Sequence, residues 1–226
     1  MKPVKRPKKD PANLTMSAQH PEAQHSRTIR PDLQLIADMI DDGSRVLDIG
    51  CGDGLLLSYL VEEKGVIGRG MELSQEGVNA SVTQGLSVVQ GDADSDLNTY
   101  PEGGFDYVVL SKTLQATRDP RAVLRQLVRI GSYAVVSFPN FGYWRIRLSL
   151  MFNGRMPDTP LLPEPWYETP NIHLCTIRDF VELCMACGVV IEEAYTVGAA
   201  LRPRPIRSLH TANLCGQDGV FLLRKA

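Results

Sequence analysis

No apolar run in this sequence approaches the roughly 18 residues that cross a bilayer. The basic opening from Lys2 to Lys9 is not followed by the apolar core of a secretory signal. A protein that stays off the membrane and in the cytoplasm is therefore expected. Cysteine is scarce: Cys51, Cys175, Cys184, Cys187 and Cys215 are an odd number of scattered residues in a chain long enough to bury a core without staples, so reduced thiols are expected. Cys184-x-x-Cys187 lacks a second pair and a nearby His at zinc spacing, and both cysteines fall within an expected helix. The pair reads as structural, with no metal site. An excess of one charge is missing too. Lys and Arg number 24 against 26 Asp and Glu, for a formal net charge of -2, which argues against a domain built to grip a phosphate backbone, so no nucleic-acid partner is expected.

Residues 1–28 hold Lys2, Lys5, Arg6, Lys8 and Lys9 among four prolines and few apolar side chains. They read as a disordered basic tail, unable to bury enough surface to offset its ordering entropy. From residue 29 to 226 the pattern is one α/β domain. Leu33, Ile36, Ala37 and Ile40 recur at helical spacing, and an apolar strand follows at 45–50. Strands are then expected at 66–73, 86–90, 105–110, 133–138, 189–197 and 220–224. Helices at 55–64, 74–84 and 119–130 separate the earlier ones, and a helix opened by the capping-box pair Thr176 and Asp179 runs to Cys187. Alternating strands and helices imply a Rossmann-like, mostly parallel sheet with helices on both faces. Residues 140–172 and 198–217 fall outside that scheme.

In such a sheet the ligand lies beyond the carboxyl ends of the strands, where a glycine turn lets backbone approach it. The turn here is Gly50-Cys51-Gly52-Asp53-Gly54, preceded by Asp48. A dinucleotide fingerprint needs a third Gly or Ala where this chain has Leu55. Asp48 and Asp53 also sit where a pyrophosphate would. A nicotinamide dehydrogenase is thereby disfavoured, and a cationic ligand fits better. S-adenosylmethionine carries a sulfonium and an ammonium and no phosphate. Glu72 ends the second strand about 20 residues past the glycines, where an acid can accept both ribose hydroxyls. After the third strand, Asp92 can take an adenine amino group while the Ala93 N–H reaches a ring nitrogen.

VLDIGCGDG (46–54), GMELS (70–74), Gly91-Asp92-Ala93 and FDYVVL (105–110) resemble the class I S-adenosylmethionine-dependent methyltransferases, in the order that fold requires. LSKTLQATRDPRAVL, VVSFPNFGYWRIRLSL and PWYETPNIHLCTIRDFVELC narrow the resemblance to the methionine biosynthesis protein MetW family, from about residue 29 to the end. The resemblance implies a seven-stranded sheet with its last strand antiparallel. It also implies S-adenosylmethionine or S-adenosylhomocysteine held by Asp48, Gly50, Cys51, Gly52, Asp53, Glu72, Leu73, Asp92, Ala93 and Ser111. It further implies a role as partner or activator of a MetX-type homoserine O-acyltransferase. The competing reading is a methyltransferase acting on a small hydroxyl or carboxyl acceptor.

The catalytic base common in small-molecule methyltransferases of this type is missing: Ala116 stands where a His would align after the fourth strand. There is no Asn-Pro-Pro-Tyr motif for amide methylation either. His173 is the remaining acid–base candidate, beside the plainer reading of a hydrogen-bonded loop histidine. Ser111 and Lys112, at the end of the fourth strand, can face the methyl group, and positioning alone can serve an acceptor that is already ionised. Phe141, Tyr143, Trp144, Ile146, Leu148, Leu150, Met151 and Phe152 crowd together with arginines and are followed by Pro157, Pro160, Pro163, Pro165, Trp166 and Tyr167. This insert reads as a docking surface, a substrate lid or an intramolecular cap. With the basic loop Leu201 to Arg207, it is the expected contact with the acyltransferase.

Overall fold

The computed structural model describes residues 29–156, 166–198 and 202–226. The expected basic tail at 1–28, Pro157 through Pro165 of the insert, and Leu201 lie outside the described residues. The described chain forms one eight-stranded sheet in the order β3-β2-β1-β4-β5-β8-β6-β7. β1 (Arg45–Ile49) is central, parallel to β2 (Ile67–Glu72) on one side and to β4 (Phe105–Ser111) on the other. β3 (Val88–Gln90) extends the sheet beyond β2, and β5 (Gly131–Pro139) beyond β4, both parallel. The chain thus reverses its direction of travel between β1 and β4 and opens a crevice at their carboxyl ends. β8 (Asp218–Lys225) inserts antiparallel between β5 and β6 (Val189–Val197).

Seven of these strands match the expected topology. The eighth, β7 (Pro203–Pro205), lies in the stretch left outside the scheme and pairs with β6 at the sheet edge. Two prolines in three residues leave few N–H donors, which a strand tolerates only at an edge.

The core alternates with the two-residue period of buried strands. Leu47, Val108, Leu110, Val136, Phe138, Phe221 and Leu223 point to one face. There they meet α4 (Pro120–Ile130) and α6 (Ile177–Cys187). Val46, Tyr107, Val109, Val135, Val220 and Leu222 point to the other, against α1 (Pro31–Asp38) and α2 (Leu55–Lys64). Helix limits follow local chemistry. Asp119 accepts from the Ala122 N–H ahead of Pro120, and Thr176 and Asp179 form a complete capping box. Ser74 caps α3 (Gln75–Thr83), and α2 ends at Gly65 in the left-handed region. The Cys184 thiol, packed inside α6's buried face, is pushed up to about 12 by burial.

Two further helices occupy the unassigned stretches, α5 (Trp144–Asn153) and α7 (Leu209–Cys215). Asn140, fully buried after β5, fastens this region. Its amide nitrogen donates to the Asn213 and Gly216 carbonyls at 2.9 and 2.8 Å. Its amide oxygen accepts from the Gly142 and Ile177 N–H groups at 2.9 and 3.1 Å. One side chain therefore ties the end of β5 to the starts of α5 and α6 and to α7. This four-way clamp, with no strand or helix periodicity of its own, was invisible in the sequence.

Candidate functional site

Leaving β1, the chain turns at three glycines with φ of 69° at Gly50, 57° at Gly52 and 80° at Gly54, a region other residues rarely adopt. A Cβ on Gly50 would lie 2.4 Å from the Thr113 hydroxyl oxygen, and one on Gly54 would lie 2.8 Å from that of Ser81. Gly52 has open space where its Cβ would be, while its N–H donates to Glu72 and its carbonyl accepts from the Ser81 hydroxyl. The Gly50 and Cys51 N–H groups donate to the Met71 carbonyl, holding the turn against the end of β2.

Glu72, at the end of β2, meets this turn directly. One carboxylate oxygen accepts from the Gly52 N–H at 2.8 Å and the other from the Ser74 N–H at 2.9 Å. Leu73 beside it is 65% exposed, an open apolar surface next to the carboxylate. Asp48, at the end of β1, is buried, and burial first and the Glu72 charge second push its carboxyl up to about 7. Cys51 is buried beside it, and burial together with the Asp48 charge raises its thiol to about 12, so it is neutral at physiological pH. Asp53 is exposed, and its carboxylate accepts from the Leu55 N–H at the start of α2.

Past β3, the Asp92 carboxylate pairs with Arg118 at 2.7 Å and accepts from the Asp94 N–H. The Asp94 carboxylate in turn accepts from the backbone N–H groups of Arg118 and Asp119. Ala93 packs against the core. Arg118, which lies 26 residues from its partner, carried no spacing signal. Ser111 places its hydroxyl 3.1 Å from that of Ser137.

Lys112 was the less expected neighbour. It has φ of 57°, the one positive φ outside glycine among the described residues. Its ammonium sits 3.1 Å from Asp32 at the start of α1 and 3.7 Å from Asp218 at the start of β8. Both acids are buried, and burial raises the Asp218 carboxyl although Lys112 partly opposes it. A strained lysine held by two buried carboxylates from opposite ends of the chain marks the carboxyl edge of β4 as a built feature. His173 stands in the loop before α6. Its Nε2 is 3.2 Å from the Arg118 carbonyl, and it lines a cavity of about 340 Å³ with Leu114, Gln115, Cys175 and Phe180.

The sequence-derived residues Asp48, Gly50, Cys51, Gly52 and Glu72 are therefore gathered at one place, with Leu73 at its rim and Asp92 and Ala93 on the next strand end. The site couples two carboxylates with a glycine turn that leaves open space at Gly52. That donor set suits a ligand bearing positive charge and sugar hydroxyls, and the residues present fit S-adenosylmethionine.

A SAM-dependent methyltransferase structure from Thermotoga maritima superposes with a TM-score of 0.64 at 15% identity, covering 87% of this chain and 88% of that one. The fold is that of the class I methyltransferases. The ubiquinone biosynthesis O-methyltransferase of Xanthomonas oryzae is 37% identical over 93 residues, 39% of this chain and 38% of the relative. A bifunctional methionine biosynthesis protein MetXA/MetW from Rhodopirellula baltica is 34% identical over 183 residues, 77% of this chain. The matched region spans only 29% of that relative's length. Matched over residues 30–223 by the family model described as methionine biosynthesis protein MetW, the chain belongs to the MetW family.

Proposed function

We propose that this chain binds S-adenosylmethionine at the carboxyl ends of β1 and β2 and acts as partner and activator of a MetX-type homoserine O-acyltransferase. The observation that carries the partnership is the bifunctional relative, which joins MetXA and MetW in one polypeptide. Covalent linkage replaces an encounter between separate chains by a high effective concentration, which is useful where the two must meet.

When bound, the cofactor supplies a sulfonium-linked methyl group and a positive charge beside Asp48. Glu72 would accept hydrogen bonds from its ribose, and the open space at Gly52 would admit its amino-acid end. In the free chain the Asp48 carboxyl titrates near 7, above its unfolded value near 4. Its contribution to stability is therefore fully present below about pH 4 and is lost as pH rises through about 7. A nearby cation favours the ionised form, so binding below pH 7 releases a proton. Affinity for S-adenosylmethionine is expected to rise by up to about tenfold per pH unit towards pH 7 and then level off. Calorimetry across that range, in buffers of different ionisation enthalpy, reads both the affinity and the proton. A flat profile contradicts the role of Asp48.

The partner contact is assigned to α5. Ile146 alone of its side chains is buried, while Trp144, Leu148, Leu150, Met151 and Phe152 are exposed, Phe152 by 75%. Trp166 and Tyr167 add two exposed rings, set edge-on at 5.7 Å. Large apolar and aromatic side chains presented together are the usual anchors of protein interfaces. The triple variant of Trp144, Phe152 and Trp166 to alanine should retain the fold and lose both co-purification with the acyltransferase and its activation. Unchanged activation would remove α5 from the interface.

The second reading is methyl transfer to a small hydroxyl or carboxyl acceptor. The similarity to a ubiquinone biosynthesis O-methyltransferase, 37% identical over 93 residues, favours it.

A further inference from the structure

The carboxyl edge of β6 holds a second concavity, away from the glycine turn. β7 pairs with β6 so that Arg204 stands opposite Thr196. Arg202, just before β7, lines the same concavity as Arg204. α7 packs close beneath because Gly216 has no side chain: a Cβ there would come within 2.7 Å of the Thr196 methyl and 2.8 Å of the Ala212 carbonyl. The result is a cavity of about 370 Å³ lined by Tyr143, Thr196, Thr211 and three arginines, Arg202, Arg204 and Arg207.

Its charge is one-sided. No Asp or Glu is among the described residues lining it. Elsewhere in the fold Arg45, Arg118, Arg178 and Arg224 each have a carboxylate partner. Arg202, Arg204 and Arg207 have no ion pair to another described residue. Three guanidinium groups around one concavity repel one another and raise the local concentration of anions. Their planar donor pairs match the oxygens of carboxylate or phosphate. The volume lies in the range of small-molecule pockets, and Ile206, Pro205 and Ala212 add an apolar wall for the rest of such a ligand.

We propose that this cavity binds a small dianion, a phosphate monoester or a dicarboxylate, at a site separate from the S-adenosylmethionine pocket. None of its lining residues belongs to the glycine turn or to the ends of β1 and β2, so the proposal stands independently of the cofactor reading. Inorganic phosphate, pyrophosphate and succinate are the probes, titrated calorimetrically into the whole chain at constant ionic strength. Saturable binding of at least one is expected, weakened by about tenfold or more in the double variant Arg204→Ala, Arg207→Ala. It should be unchanged in Arg121→Ala, an exposed arginine on α4. Preference for phosphate or succinate assigns the ligand class. The arginines are exposed, so the variants should keep the parent's unfolding midpoint. The proposal is overturned if no probe binds saturably, as for a surface that meets only an acidic protein, or if the double variant binds as the parent does.

Discussion

Glu72→Ala is expected to eliminate measurable S-adenosylmethionine binding, lowering affinity by at least about a hundredfold. The carboxylate now accepts from the Gly52 and Ser74 N–H groups. Its removal loses two hydrogen bonds to a charged group, each worth about 1.5–3 kcal/mol, as well as the acceptor offered to the ribose. Glu72→Gln keeps the shape and one acceptor and should lose less. Asp48→Asn separates charge from geometry in the same way: the side chain stays buried, and the attraction for a cation disappears. Titration calorimetry on the three variants, with circular dichroism to verify folding, checks the set. Parent-like affinity in both Glu72→Ala and Asp48→Asn would remove the cofactor assignment.

Asn140→Ala should be the most destabilising single substitution outside the hydrophobic core. Four hydrogen bonds vanish together, leaving the Asn213 and Gly216 carbonyls and the Gly142 and Ile177 N–H groups without this partner. A buried polar group left unpaired costs about 1–3 kcal/mol, so the sum, allowing for relaxation, is on the order of 4 kcal/mol or more. A domain whose total stability is about 5–15 kcal/mol would then be close to unfolding. Asn140→Asp tests the mechanism: it keeps the acceptor for Gly142 and Ile177 and sets a carboxylate against two carbonyls, so it should be no better. Urea unfolding reads both variants. A midpoint within error of the parent's would show that α6 and α7 hold to the sheet without the clamp.

The α/β alternation was legible because local signals punctuate it. α2 begins after Gly54 and ends at Gly65, and α6 is announced by Thr176 and Asp179; these depend on neighbours in sequence. The glycine turn and Glu72 were legible for the same reason, since backbone freedom and a spacing of about 20 residues are written in the chain itself. What escaped depends on pairing across the fold. Asp32, Lys112 and Asp218 come together from the start of α1, the end of β4 and the start of β8. Arg118 reaches Asp92 from the far side of the crevice. No periodicity encodes such meetings. α5 escaped for another reason: its apolar residues surround the helix instead of following one stripe, because most of them face solvent. β7 escaped because two prolines in three residues read as loop.

The central claim is that S-adenosylmethionine binding and acyltransferase activation belong to one protein, and a single coupled assay reaches it. A MetX-type homoserine O-acyltransferase is given homoserine and acyl donor, with and without this chain, and with and without S-adenosylmethionine, while acyl-homoserine and S-adenosylhomocysteine are both followed. The account predicts faster acyl transfer when the chain is present, a rate that changes with S-adenosylmethionine, and no stoichiometric formation of S-adenosylhomocysteine. An acyl-transfer rate indifferent to the chain, with S-adenosylhomocysteine accumulating, would contradict it and leave a methyltransferase in its place.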